Sequence, residues 1–102
     1  MVDYDWIKDV LYKYIKYDLP HNALYEVLIR NKITPCYKFM NMDKVYLPVE
    51  KNILLPVYFN VYRLGQYENK VLYALVSYVS EIRGKDVKSI EFIEIEGQCS
   101  TI

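Results

Sequence analysis

The chain has 102 residues, 53% of them hydrophobic and 25% charged, and thirteen basic side chains balance thirteen acidic ones. That length buries one core and not two, and the composition lies far from the low-hydropathy, high-charge region of disordered chains. Without a basic excess, partners bound by neutralising phosphates, nucleic acid above all, are disfavoured, and so is an anionic membrane. The longest apolar run, Ile53 to Phe59, is broken by Pro56 and is too short for a membrane helix. Asp3 and Asp5 stand where a signal peptide would carry basic residues, so a cytoplasmic location is expected.

The first element is the clearest. Trp6, Ile7, Val10, Leu11, Tyr14 and Ile15 recur at the spacing of one helix face, which predicts a helix from Asp3 to Tyr17. Acidic residues in its first turn and Lys13 and Lys16 in its last oppose the helix dipole. Asp18, Leu19 and Pro20 end it and open a second helix running to about Asn31, with Leu24, Val27 and Leu28 as its apolar stripe. Asn31 suits a left-handed C-terminal position.

Residues 34 to 63 are rich in Val, Tyr, Phe and Ile and predict three strands, at about 34 to 40, 44 to 49 and 53 to 63. In the last two, Val45, Leu47, Val49, Ile53, Leu55, Val57, Phe59 and Val61 share one parity and therefore one face, expected to be the core. A loop at Glu50 to Asn52 would pair Val49 with Ile53 and Leu47 with Leu55. Gly65 and Gln66 lead into an expected third helix, Tyr67 to Arg83, carrying Val71, Leu72, Leu75, Val76, Val79 and Ile82 at helical spacing and stopped by Gly84. Val87 to Glu96 then reads as a strand whose alternation changes phase between Phe92 and Ile93, by a bulge or by burial on both faces. Residues 97 to 102 read as a loose tail.

The expected fold is a single α+β domain over 1–102, about three helices on a small, largely antiparallel sheet of about four strands. Trp6, Leu11, Leu55, Phe59, Leu75 and Phe92 are its expected core. Val10-Leu11-Tyr12 with Tyr17 matches Val71-Leu72-Tyr73 with Tyr78, and Leu-Pro-Val occurs at 47 and at 55. Two related halves, 1–50 and 53–102, are one reading of this; chance likeness between Leu- and Tyr-rich amphipathic segments is the other.

Little in the chain speaks for catalysis. Three isolated glycines cannot form a phosphate-cradling loop, which needs successive amides free to approach an anion. The lone histidine, His21, has no nucleophile motif beside it and reads as a surface or capping residue. Asp86-Val87-Lys88 has the spacing of acid and lysine in some metal-dependent nucleases, but three-residue patterns arise by chance, and Glu91, Glu94 and Glu96 are more simply the solvated side of a strand. Such charges also protect a sheet edge from unwanted pairing. Cys36 and Cys99 have no metal-ligand or C-x-x-C spacing, which makes free thiols the default over a disulfide. No catalytic residue, metal ligand or cofactor is assigned.

Tyrosine is the unusual feature, at twelve residues. With the odd face of strand 53 to 63 as core, Tyr58, Asn60 and Tyr62 look outward together with Tyr46 of the neighbouring strand. Tyrosine offers large rigid contact area and a hydroxyl, as binding surfaces use it. These four are therefore the candidate partner-binding residues, unless helices cover that face and make it a second core layer.

From Met1-Val2-Asp3-Tyr4-Asp5-Trp6 through Gly97-Gln98-Cys99-Ser100 the chain resembles the short Ile-, Lys- and Tyr-rich proteins of filamentous viruses infecting hot, acid-loving archaea. The resemblance carries no functional motif. It implies a viral protein in the host cytoplasm at high temperature, where a Cys36–Cys99 disulfide becomes less improbable. The expected function is a non-enzymatic protein-protein interaction module that binds a peptide or protein segment in a groove or on the tyrosine face. The alternatives are a single-strand nucleic-acid binder with tyrosines as stacking platforms and a homo-oligomeric structural subunit.

Overall fold

The computed structural model describes residues 2–36, 42–45, 57–81 and 84–99; for 42–45, 57–59, 78–81, 84–86 and 88 the description is of the backbone. Helix α1, Tyr4–Tyr17, begins where expected because the Asp3 carboxylate accepts the Trp6 amide at 3.1 Å. It ends at Asp18, whose φ of 51° is left-handed. Lys13 and Asp9 pair at 3.1 Å on its exposed side, a contact of a few tenths of a kcal/mol. Helix α2, His21–Arg30, also follows expectation, but its left-handed residue is Lys32 and not Asn31. Asn31 instead ties two elements together: its amide donates to the Val27 carbonyl at 2.9 Å, and its oxygen accepts the Asp3 N–H at 3.0 Å.

The sheet is antiparallel throughout its described pairs. Its long strands are β3 (Val57–Tyr67), β4 (Lys70–Glu81) and β5 (Gly84–Glu96), in that order. Two short strands, β1 (Thr34–Pro35) and β2 (Met42–Val45), lie end to end along the outer edge of β3, so the sheet is four strands wide. The α+β class and the antiparallel sheet match the sequence reading.

The third helix does not exist. Residues 67 to 83 were expected to be helical; the described part of that segment is the end of β3, a turn at Glu68 and Asn69, and β4. Both faces of β4 are apolar, with Leu72, Ala74 and Val76 on one and Tyr73 and Leu75 on the other. An apolar run with no polar alternation fits helical spacing as well as it fits a doubly apolar strand. Glu68, at a φ of 54°, and Asn69 form the two-residue hairpin turn that decides the matter. Val10-Leu11-Tyr12 thus lies on a helix and Val71-Leu72-Tyr73 on a strand, so those segments share sequence and not conformation.

Both helices pack on one face of the sheet. Ile7, Leu11, Leu24, Val27 and Leu28 meet Tyr62, Leu64, Leu72, Ala74, Val76 and Ile90 in the core. This corrects the expected core face, since the even positions of β3 are the buried ones. Of the expected core residues, Leu11 is fully buried while Trp6, Leu75 and Phe92 are partly exposed; Trp6 lies at the rim under the Arg30 guanidinium, 4.8 Å from its ring. Phe59 lies on the face away from the helices by register, and Leu55 is outside the described residues. The expected pairs Val49 with Ile53 and Leu47 with Leu55 also lie outside them. In the described ladder Val45 meets Phe59, two residues from the partner that register implies, with odd still opposite odd.

Two irregularities adjust the strands. Leu64 is the extra residue of a bulge in β3, and at the following Gly65 a Cβ would stand 2.5 Å from the Thr34 carbonyl oxygen, so only glycine lets β1 approach. In β5 the extra residue is Lys88, between Val87 and Ser89, and not at Phe92 and Ile93, where the apparent phase change reflects apolar residues on both faces.

Cys36 and Cys99 form a disulfide with Cα atoms 5.4 Å apart, which corrects the free-thiol default. The segment after β5 is held on the way to it. Gly97 N–H donates to Asn69 O at 3.1 Å, Gln66 Nε2 donates to Gly97 O at 3.4 Å, and Cys99 N–H donates to Gln66 Oε1 at 3.2 Å. The expected looseness therefore does not apply to 97–99.

Candidate functional site

Two of the four sequence-predicted site residues face inward. Asn60 and Tyr62 are buried at 5% and 3% exposure beneath the helices, so the covered-face alternative is the one realised for them. Tyr58 has a backbone place opposite Tyr78 on the same face, and Tyr46 lies outside the described residues. The reason is non-local: parity relates residues within a strand, but which face the helices select depends on the whole sheet.

The exposed isoleucines of the sheet are on the other side. On the face away from the helices, Val61, Arg63, Tyr73, Leu75, Ile93 and Ile95 stand on adjacent strands. Ile93 and Ile95 are 42% and 53% exposed. The Nε of Arg63 is shielded from water and has no hydrogen-bond partner among the described residues.

Strand β5 joins this face to a sheet edge. It pairs with β4 on one side, and among the described residues no strand pairs with its other side. On the helix side of that edge a groove of about 310 Å³ runs between α1 and β5, lined by Asp5, Lys8, Tyr12, Val87, Ser89 and Ile90 among others. Glu91, Glu94 and Glu96, expected on one solvated side, divide between the faces: Glu91 is on the open face, Glu94 and Glu96 on the helix face. The bulge at Lys88 falls within the Asp86-Val87-Lys88 triplet.

A second concavity, of about 560 Å³, lies where the start of α1 meets the β3–β4 turn. There the Tyr4 hydroxyl donates to the Glu94 carboxylate and lies 2.9 Å from the Tyr67 hydroxyl, while Lys70 reaches the other Glu94 oxygen at 3.6 Å. Tyr4 also stacks on Phe92 with ring centroids 5.1 Å apart. Burial, aided by the charge of neighbouring Glu68, raises the Tyr67 pKa above the usual tyrosine value. These groups are satisfied by one another, and they dock the helix layer on the end of β5. Burial also raises the Tyr14 pKa, with Asp18 adding to it, and the exposed His21 ring lies 6.3 Å from the Tyr14 ring.

Among the described residues no three His, Cys, Asp or Glu side chains converge as metal ligands, and no helix is long and apolar enough to cross a membrane. The available chemistry is that of a strand edge with no strand partner among the described residues, flanked by apolar side chains on both faces and by acidic ones toward its end. A sequence signal for it existed in Ile90-Glu91-Phe92-Ile93-Glu94-Ile95-Glu96, where apolar residues occupy both parities. Comparison with protein-family models, with curated proteins and with solved structures finds no match for this chain.

Proposed function

We propose that the protein is a non-enzymatic protein-protein interaction module that binds an extended protein segment as an added strand along the outer edge of β5. The carrying observation is the state of that strand: thirteen residues long, without a second strand partner among the described residues, and with two isoleucines exposed beside it. Strand addition draws affinity from main-chain hydrogen bonds and selectivity from alternate side chains. Here Val87 and Phe92 on the helix face and Ile93 and Ile95 on the open face flank the added strand, while the glutamates favour basic side chains. The buried Asn60 and Tyr62 shape the core beneath this sheet and do not touch the partner. The disulfide accords with a hyperthermophilic host cytoplasm, the setting that the viral resemblance implies, since intracellular disulfides are common in such organisms.

A library of random twelve-residue peptides displayed against the full-length, disulfide-intact chain tests this. Retained peptides should alternate apolar with basic residues and lose at least about tenfold in affinity against an Ile93→Lys, Ile95→Lys variant. Undiminished binding to that variant sinks the assignment to β5.

A further inference from the structure

Resting on that reading of the edge, we propose that the segment β5 accepts is β5 of a second copy of this chain, laid antiparallel about a two-fold axis at Ile90. The argument is the order of residues along one face. Counting ladder positions across the Lys88 bulge, the helix face of β5 carries Lys85, Val87, Ile90, Phe92 and Glu94, opposite Ser80, Tyr78, Val76, Ala74 and Leu72 of β4. Read from either end this row is a charge, three apolar residues and the opposite charge. An antiparallel copy centred on Ile90 sets Lys85 opposite Glu94 of the other chain, twice by symmetry, Val87 opposite Phe92, and Ile90 opposite itself. On the open face the same register sets Ser89 opposite Glu91, Asp86 opposite Ile93 and Gly84 opposite Ile95. No like charges meet on either face.

Neighbouring registers lack this property. Centring the axis on Ser89 brings Asp86 against Glu91, and centring it on Glu91 brings that carboxylate against its own copy; like charges directly opposite are destabilising. Half-steps between these would set helix-face residues against open-face ones. Parallel pairing has no closed symmetry and would align Glu91, Glu94 and Glu96 with themselves. Axes further out, on Val87 or Phe92, also avoid like charges but set Ile90 against Lys85 or Glu94, so the Ile90 axis is distinguished by its two Lys85–Glu94 pairs. The groove beside α1 lies at its centre, since Val87, Ser89 and Ile90 line it. In the dimer the two sheets become one, twice as wide, and neither β5 edge stays bare.

The test uses the full-length oxidised chain, Lys85→Glu and Glu94→Lys variants, native mass spectrometry and sedimentation, with circular dichroism to establish that each variant is folded. The natural chain should dimerise. Each variant alone opposes like charges at both symmetry-related positions and should raise the dimer dissociation constant by about tenfold or more. An equimolar mixture restores both opposite-charge pairs, so heterodimers should form at close to the natural affinity. Glu94→Lys also removes the Tyr4 and Lys70 contacts; the recovery in the mixture separates charge matching from that damage. A dimer indifferent to both charge reversals overturns the register. A chain that stays monomeric at millimolar concentration overturns the second copy as partner; if it still retains basic, apolar-alternating peptides the edge reading survives, and if it retains none both fall.

Discussion

The two edges of the sheet are treated in opposite ways. Along β3 the edge is occupied by β1 and β2, Gly65 admits β1 at a distance no side chain would allow, and the Cys36–Cys99 bridge fastens the end of the chain there. Along β5, a strand of thirteen residues, the edge has no strand partner among the described residues. A free edge is a template for pairing, so the proposed association falls on the side where no described strand pairs, away from the edge covered by two short strands and a covalent bond. The two faces differ in the same sense: helices close one, and exposed isoleucines mark the other.

Removing the bridge by Cys99→Ala releases a long chain loop in the unfolded state and should cost about 4 kcal/mol, read as a lower denaturation midpoint in denaturant. If the loss is negligible, the covered edge does not depend on its covalent fastening. On the closed face, Leu28→Ala empties a fully buried site and should cost about 3 kcal/mol by the same measurement. Gly65→Ala drives a methyl group into the Thr34 carbonyl and Ile33 and should cost about 1–3 kcal/mol. Amide exchange should then accelerate at Cys36, whose N–H donates to Leu64 O across that contact.

At alkaline pH a contribution comes from Tyr14 and Tyr67, whose pKa values burial raises above 10.0. Both stay protonated in the folded state when their unfolded counterparts begin to ionise. Their contribution is therefore complete below pH 10 and is lost as pH rises through the folded values. Tyr67→Phe should flatten the decline in melting temperature measured between pH 9.5 and 11. The smallest effect belongs to the open side: Ile95→Lys should change stability by less than about 0.5 kcal/mol while weakening association, a separation that Leu28→Ala cannot show.

Much of this architecture is written locally. Helices α1 and α2 follow from apolar spacing, the Asp3 cap and the stop at Asp18 to Pro20, and a strand leading to Glu96 and the mixed class of the fold were legible in the same way. Each rests on neighbours within a turn or a strand, where period and capping act directly. Only the tertiary structure decided that Lys70 to Glu81 is a strand, because a segment apolar on both faces satisfies either period until the chain beside it pairs. It alone put Asn60 and Tyr62 inside, since parity groups residues on a face without saying which face the helices will cover. It also brought Cys36 within 5.4 Å of Cys99 and left β5 at the rim, because distances between remote residues and the order of strands are properties of the assembled sheet and of no segment within it.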